Sequence, residues 1–134
     1  LEELIDIINA IKDFKPDLIL AVGGGAVIDY AKIANVVDVR DDLADLIVNY
    51  SYPFKKKYTK LAVIPTTAGS GAEVTSNAVI YVDGIKHSFE SEILLPDNFF
   101  LRSSIAKKRI DKRFCVLLKR PSCIASKIIF FILS

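Results

Sequence analysis

The 134-residue chain contains no methionine, one histidine and two cysteines. The single histidine, His87, cannot by itself build a cluster of imidazole metal ligands. Cys115 and Cys123 follow no common zinc or redox spacing, and two cysteines do not make a disulfide framework. No apolar run is long enough to span a bilayer, and no signal-like segment opens the chain. The expectation is a soluble, cytoplasmic domain with no membrane partner. The amphipathic pattern is already under way at Leu1, with no cap before it, so the chain reads as a fragment of a longer protein. Acid is scarce at one end only. Residues 1–100 carry 9 Lys/Arg against 15 Asp/Glu, whereas residues 101–134 carry 9 against 1. Such a basic segment is compatible with a nucleic-acid or membrane arm, or with a foreign end. It lacks the interleaved aromatic platform that single strands stack on, so nucleic acid is not expected as a partner.

About half of the residues are hydrophobic, enough for one modest core. The most informative stretch is PDLILAVGGGAVIDYAKIANVV, residues 16–37. Leu18 to Val22 is an apolar run without alternation, which predicts a parallel strand buried on both faces. Gly23, Gly24 and Gly25 follow, then a helical pattern in which Val27, Tyr30, Ala31, Ala34 and Val37 share a face. A helix N-terminus behind a glycine turn presents free N–H groups and about half a unit of positive charge. Phosphate is its natural guest, against the plainer reading of a tight strand-to-helix turn. Neither the G-x-G-x-x-G fingerprint nor a P-loop is present, because Ile28 fills the last position of the first and no G-K-[ST] follows.

Around this stretch the chain orders itself. Residues 1–14 predict an amphipathic helix with Leu1, Leu4, Ile5, Ile8 and Ile11 on one face and acids early. A short helical run spans Leu43 to Val48, and Lys55, Lys56 and Lys57 fall in a polar connection expected to be a solvated loop. Leu61 to Ile64 predicts a second buried strand, ending in the small-residue loop PTTAGSGAE. In an open parallel sheet both loops line one crevice at the carboxyl ends of the strands. Thr66, Thr67 and Ser70 then offer hydroxyls to phosphate or ribose; the plainer reading is turn chemistry. Asn77 to Val82 and Ile85 to Glu90 predict a hairpin about Asp83-Gly84, with His87 on its surface. Phe99 to Leu101 predicts a last strand. The apolar end Ile128 to Leu133 shows no designated strand partner and reads as an aggregation liability. This divides the chain into a partial dinucleotide-binding domain, 1–101, and a basic, apolar tail, 102–134.

AVGGGAVIDYAK and IPTTAGSGAEVT, followed by K-H-S and LLPD, resemble the iron-containing, or group III, alcohol dehydrogenase family over about residues 1–101. The segment YVDGIKHSFESEILLPD is similar to the branch acting on phosphonoacetaldehyde-type substrates. The resemblance implies an α/β fold: a partial Rossmann-like open parallel sheet with flanking helices, ending before the family's all-helical metal domain. It implies NAD or NADP as cofactor, a small alcohol or aldehyde as substrate, and a homodimer as the state open to the intact protein. By motif, Gly23, Gly24, Gly25 and Ala26 fall where the family holds the cofactor pyrophosphate. Thr66, Thr67 and Ser70 match positions along the cofactor, and Lys86 matches a lysine near its ribose. Asp29 matches an acid facing the crevice beside nicotinamide or substrate, a catalytic candidate whose alternative is an N-terminal helix acid.

The family's iron or zinc is held by one aspartate and three histidines, beginning on a G-x-D-A-x-x-H helix. This chain reads KRPSCIASKIIFF there and has one histidine, so the resemblance carries over no metal ligand. The expectation is a chain inactive on its own. Glycerol dehydrogenases and dehydroquinate synthases share the glycine turn, but the T-T-A-G-S-G-A-E string favours the alcohol dehydrogenases. A non-enzymatic nucleotide-binding remnant is the remaining reading.

Overall fold

The computed structural model describes residues 1–101 and the strand backbones at 114–118 and 128–132. Helix α1 (Glu2–Phe14) buries Leu4, Ile8 and Ile11, the face its apolar spacing predicts. It stops at Lys15, whose left-handed backbone lets its N–H bond Ile11 O at 2.9 Å, and Pro16 then prevents continuation. Strand β1 (Leu18–Gly23) leads through Gly24 into helix α2 (Gly25–Ala34). A short helix α3 (Leu43–Val48) follows, then β2 (Lys60–Pro65), β3 (Asn77–Val82), β4 (Ile85–Glu90) and the two-residue β5 (Asn98–Phe99). The strand backbones β6 (Phe114–Leu118) and β7 (Ile128–Ile132) complete the described chain.

One sheet has the order β5-β2-β1-β7-β6, and β3 and β4 form a separate hairpin. β1 runs parallel to β2, from Leu18 opposite Lys60 to Gly23 opposite Pro65. That register brings the glycine turn and the PTTAGSG loop to the same end of the sheet, as the two apolar strands predict. Helix α2 packs against α1, against β1 and β2, and against β3, so it links the sheet to the hairpin. Ile19, Ala21, Val27, Ile28, Ala31, Leu61, Val63, Ala78 and Ile80 share the main core.

Three expectations change. β1 is not buried equally on both faces: Ile19 and Ala21 join the core, whereas Leu18, Leu20 and Val22 stay half-buried. A uniform apolar run does not distinguish these cases, because it does not show which set joins the core shared with α1 and α2. The apolar end does have a strand partner. β7 pairs in parallel with β1, from Leu18 opposite Ile128 to Val22 opposite Ile132, and satisfies the backbone groups along that edge of β1. β6 runs antiparallel to β7, so the sheet is mixed at that edge. His87 lies on the predicted hairpin but is buried, with its ring 5.6 Å from that of Tyr50. The aromatic loop that carries Tyr50 and Phe54 covers this face of β4 and also packs on Phe89. The remainder of the tail, other than the two strands, lies outside the described residues.

Candidate functional site

The site is assembled by two backbone turns. None of Gly23, Gly24 and Gly25 has a positive φ, so what these glycines supply is room. A Cβ on Gly23 would fall 2.4 Å from Val27 Cγ2, and one on Gly25 would fall 2.9 Å from Ser70 Cβ. Both are closer than side-chain carbons approach one another. At Gly24 the neighbour is Thr67 Oγ1, 3.2 Å from the place of a Cβ. The first helical bond of α2 runs from Ile28 N–H to Gly24 O at 3.2 Å. The N–H groups of Gly25, Ala26 and Val27 precede it and have no carbonyl within the helix.

The second turn is fastened to the first. Thr66 N–H donates to Gly23 O at 2.8 Å, continuing the β1–β2 pairing beyond Pro65. Gly69 and Gly71 hold left-handed conformations, with φ of 103° and 64°, and fold the loop back so that Ser70 stands against Gly25. Ala26, Thr67 and Ser70 are exposed and Thr66 is half-buried. The structure therefore brings the turn of Gly23, Gly24, Gly25 and Ala26 against the loop of Thr66, Thr67 and Ser70 at one end of the sheet. Backbone donors and hydroxyls converge there on a helix N-terminus, the chemistry that receives a phosphate oxyanion.

Asp29, the catalytic candidate, makes two contacts with its neighbours. Its Oδ2 accepts the Val79 N–H of β3 at 3.2 Å, and its Oδ1 lies 3.6 Å from Lys32 Nζ. Burial raises the Asp29 pKa above the ordinary carboxyl value, while Lys32, the Val79 N–H and Lys86 pull the other way. Lys86 is exposed on β4 and joins this group through its charge.

Lys32 was not among the residues singled out from the sequence. Its side chain is 0% exposed, and its ammonium donates to Thr75 O at 2.9 Å and Asn77 O at 2.8 Å. Burial lowers its pKa, and Asp29 and Glu73 oppose that shift. The readable signal was the i, i+3 spacing of Asp29 and Lys32 on a helix face that also carries Ile28 and Ala31.

Among the described residues, no three His, Cys, Asp or Glu side chains gather closely enough to hold a metal ion. They do not fit an iron or zinc site. Among the same residues no helix is long and apolar enough to cross a membrane.

Comparisons with known proteins bear on the family and the fold. The family model of iron-containing alcohol dehydrogenase matches residues 1–102. An alcohol dehydrogenase of Thermococcus barophilus is 33% identical over 102 residues, 72% of this chain and 27% of the relative. A long-chain-alcohol dehydrogenase 1 of Geobacillus thermodenitrificans is 38% identical over 88 residues, 64% of this chain and 22% of the relative. The chain thus spans about a quarter of the length of these relatives. Among solved structures, the NADH-dependent butanol dehydrogenase A of Thermotoga maritima superposes with a TM-score of 0.69 at 25% identity, covering 78% of this chain and 27% of that one. The sulfoacetaldehyde reductase of Bifidobacterium kashiwanohense in complex with NAD+ gives 0.70 at 25% identity, with 78% and 28% covered.

Proposed function

The chain belongs to the iron-containing alcohol dehydrogenase family, and from that premise we propose that it carries the pyrophosphate-holding corner of an NAD(P)-linked oxidoreductase. The whole enzyme would interconvert a small alcohol and its aldehyde or ketone. The observation that carries this reading is the meeting of the two loops. Thr67 and Ser70 stand against Gly24 and Gly25 at the open N-terminus of α2.

In this reading the N–H groups of Gly25, Ala26 and Val27 bind pyrophosphate oxygens. The small residues at 23–26 let the phosphates approach the backbone, and the hydroxyls of Thr66, Thr67 and Ser70 orient the cofactor. Lys86 serves its ribose. The bound nicotinamide supplies the hydride acceptor or donor. Asp29 is already engaged with Lys32 and Val79, so we assign it to holding the site together rather than to proton transfer. The described residues supply no cluster of metal ligands.

Two neighbours, one NADH-dependent and one solved with NAD+, support NAD over NADP. The likeness to a sulfoacetaldehyde reductase supports an aldehyde that carries an oxyanion, the class to which phosphonoacetaldehyde-type substrates belong. A homodimer is carried over from the family reading, and a cytoplasmic location from the sequence reading. The test is fluorescence titration of this chain with NADH, followed by displacement with inorganic pyrophosphate. Saturable enhancement that pyrophosphate reverses is the expected result. No saturable signal at millimolar NADH overturns the assignment of a cofactor corner to this chain.

A further inference from the structure

The loop at 66–76 carries Thr67 and Ser70, and it is tied to the rest of the site at both ends. At its start, Thr66 N–H bonds Gly23 O. At its far end, Lys32 Nζ reaches across from α2 and bonds the carbonyls of Thr75 and Asn77, with Thr75 Oγ1 a further 3.4 Å contact. Asp29, one turn earlier on the same helix, takes the Val79 N–H. Residues 75, 77 and 79 alternate along the entry to β3, so two side chains of α2 grip one edge of that segment.

Lys32 is seven residues past Gly25, about 10 Å along the helix axis. It is fully buried, and a phosphate at the helix N-terminus lies out of its reach. An apolar residue of the same length would leave two carbonyls without this donor and the Asp29 carboxylate without its nearest cation. We propose that Lys32 is a positioning residue for the nucleotide corner. Its buried ammonium clamps the far end of the 66–76 loop to α2, so that Thr67 and Ser70 stand against Gly24 and Gly25. The binding consequence rests on the cofactor reading above; the clamping itself does not.

Hydrogen exchange of the unliganded chain tests the clamp directly. Lys32→Met should speed exchange of the hydrogen-bonded loop amides, Ala72 and Val74, by tenfold or more while α1 and β1 keep their protection. Lys32→Arg, which retains a cationic donor, should recover most of that protection. If the loop amides of folded Lys32→Met exchange as in the wild type, the proposal is overturned. If Lys32→Met does not fold, Asp29→Asn is read instead. It keeps an acceptor for Val79 N–H but removes the partner charge, and it should speed the loop severalfold; no change there is equally fatal. NADH titration forms the second arm. Lys32→Met should weaken binding by about tenfold, with Lys32→Arg intermediate, and unchanged affinity overturns the positioning role. A wild-type chain that binds no NADH sinks the cofactor reading alone, because the exchange arm still judges the clamp.

Discussion

The two ends of the sheet use the same elements in opposite ways. At the amino ends of β1 and β2, polar groups close on one another. Buried Asn35, just past α2, donates its amide to Thr59 O at 2.8 Å and accepts Thr59 N–H at 3.1 Å. Thr59 Oγ1 donates to Asp17 O, and Asp97 Oδ2 accepts Leu61 N–H. At the carboxyl ends, Gly25, Ala26 and Val27 have no helical carbonyl, and the Thr67 and Ser70 side chains are exposed. One end is a fastening and the other, in the reading proposed above, is a receptor. The difference comes from side chains: an amide that mimics a strand partner at one end, glycines at the other.

Breaking the fastening should have the largest effect on stability. Asn35→Ala removes both bonds to Thr59 and leaves that residue's backbone donor and acceptor without these partners. It should cost about 2 kcal/mol in urea unfolding. A loss below about 0.5 kcal/mol would mean the amino end is not the anchor described. Gly25→Ala probes the receptor. Alanine suits a helix, so unfolding should shift by less than about 1 kcal/mol. Its Cβ meets Ser70, however, and NADH affinity should fall about tenfold, or 1.4 kcal/mol. Lost stability with intact binding would reverse the assignment of the two ends.

The smallest expected effect lies at the rim of the closed end. The Tyr58 hydroxyl, and then Lys12, hold the Asp38 carboxyl below the ordinary carboxylate range. A depressed folded pKa gives stability that is present above about pH 4 and lost as pH falls through the folded value. Asp38 is largely exposed, so solvent screens the contribution. Wild type should exceed Asp38→Asn slightly in Tm at pH 6, and the gap should close toward pH 2. A gap that is constant with pH would assign the effect to something other than the carboxylate charge.

Much of this was legible in the sequence. The strand, glycine turn and helix at 18–34 and the hairpin about Asp83-Gly84 depend on local signals, and the structure has them where those signals lie. The convergence of Gly25 and Ser70 followed from two apolar strands with a loop after each. Lys32 was not legible as a clamp, because its burial depends on β3 lying against α2, a contact that helix periodicity does not encode. His87 was half legible. Its alternation with Phe89 places both on one face of β4, but the Tyr50 and Phe54 rings that cover them come from a distant loop. The partner of Ile128–Ile132 had no local signal, since parallel pairing is set by the fold and not by a turn.

That last pairing bears on how the chain reaches its fold. β1 meets β2 across a separation of 42 residues, from Leu18 to Lys60, and β7 across 110, from Leu18 to Ile128. Closing the longer loop costs more entropy, and contacts of high sequence separation form late. On a ribosome adding about 5–20 residues per second, β1 waits for β7 about 5–20 s after it emerges. Through that interval one edge of an Ile- and Leu-rich strand is open to any extended segment nearby. Its vulnerability is therefore one of timing, greatest in the newborn chain and absent once the edge is filled.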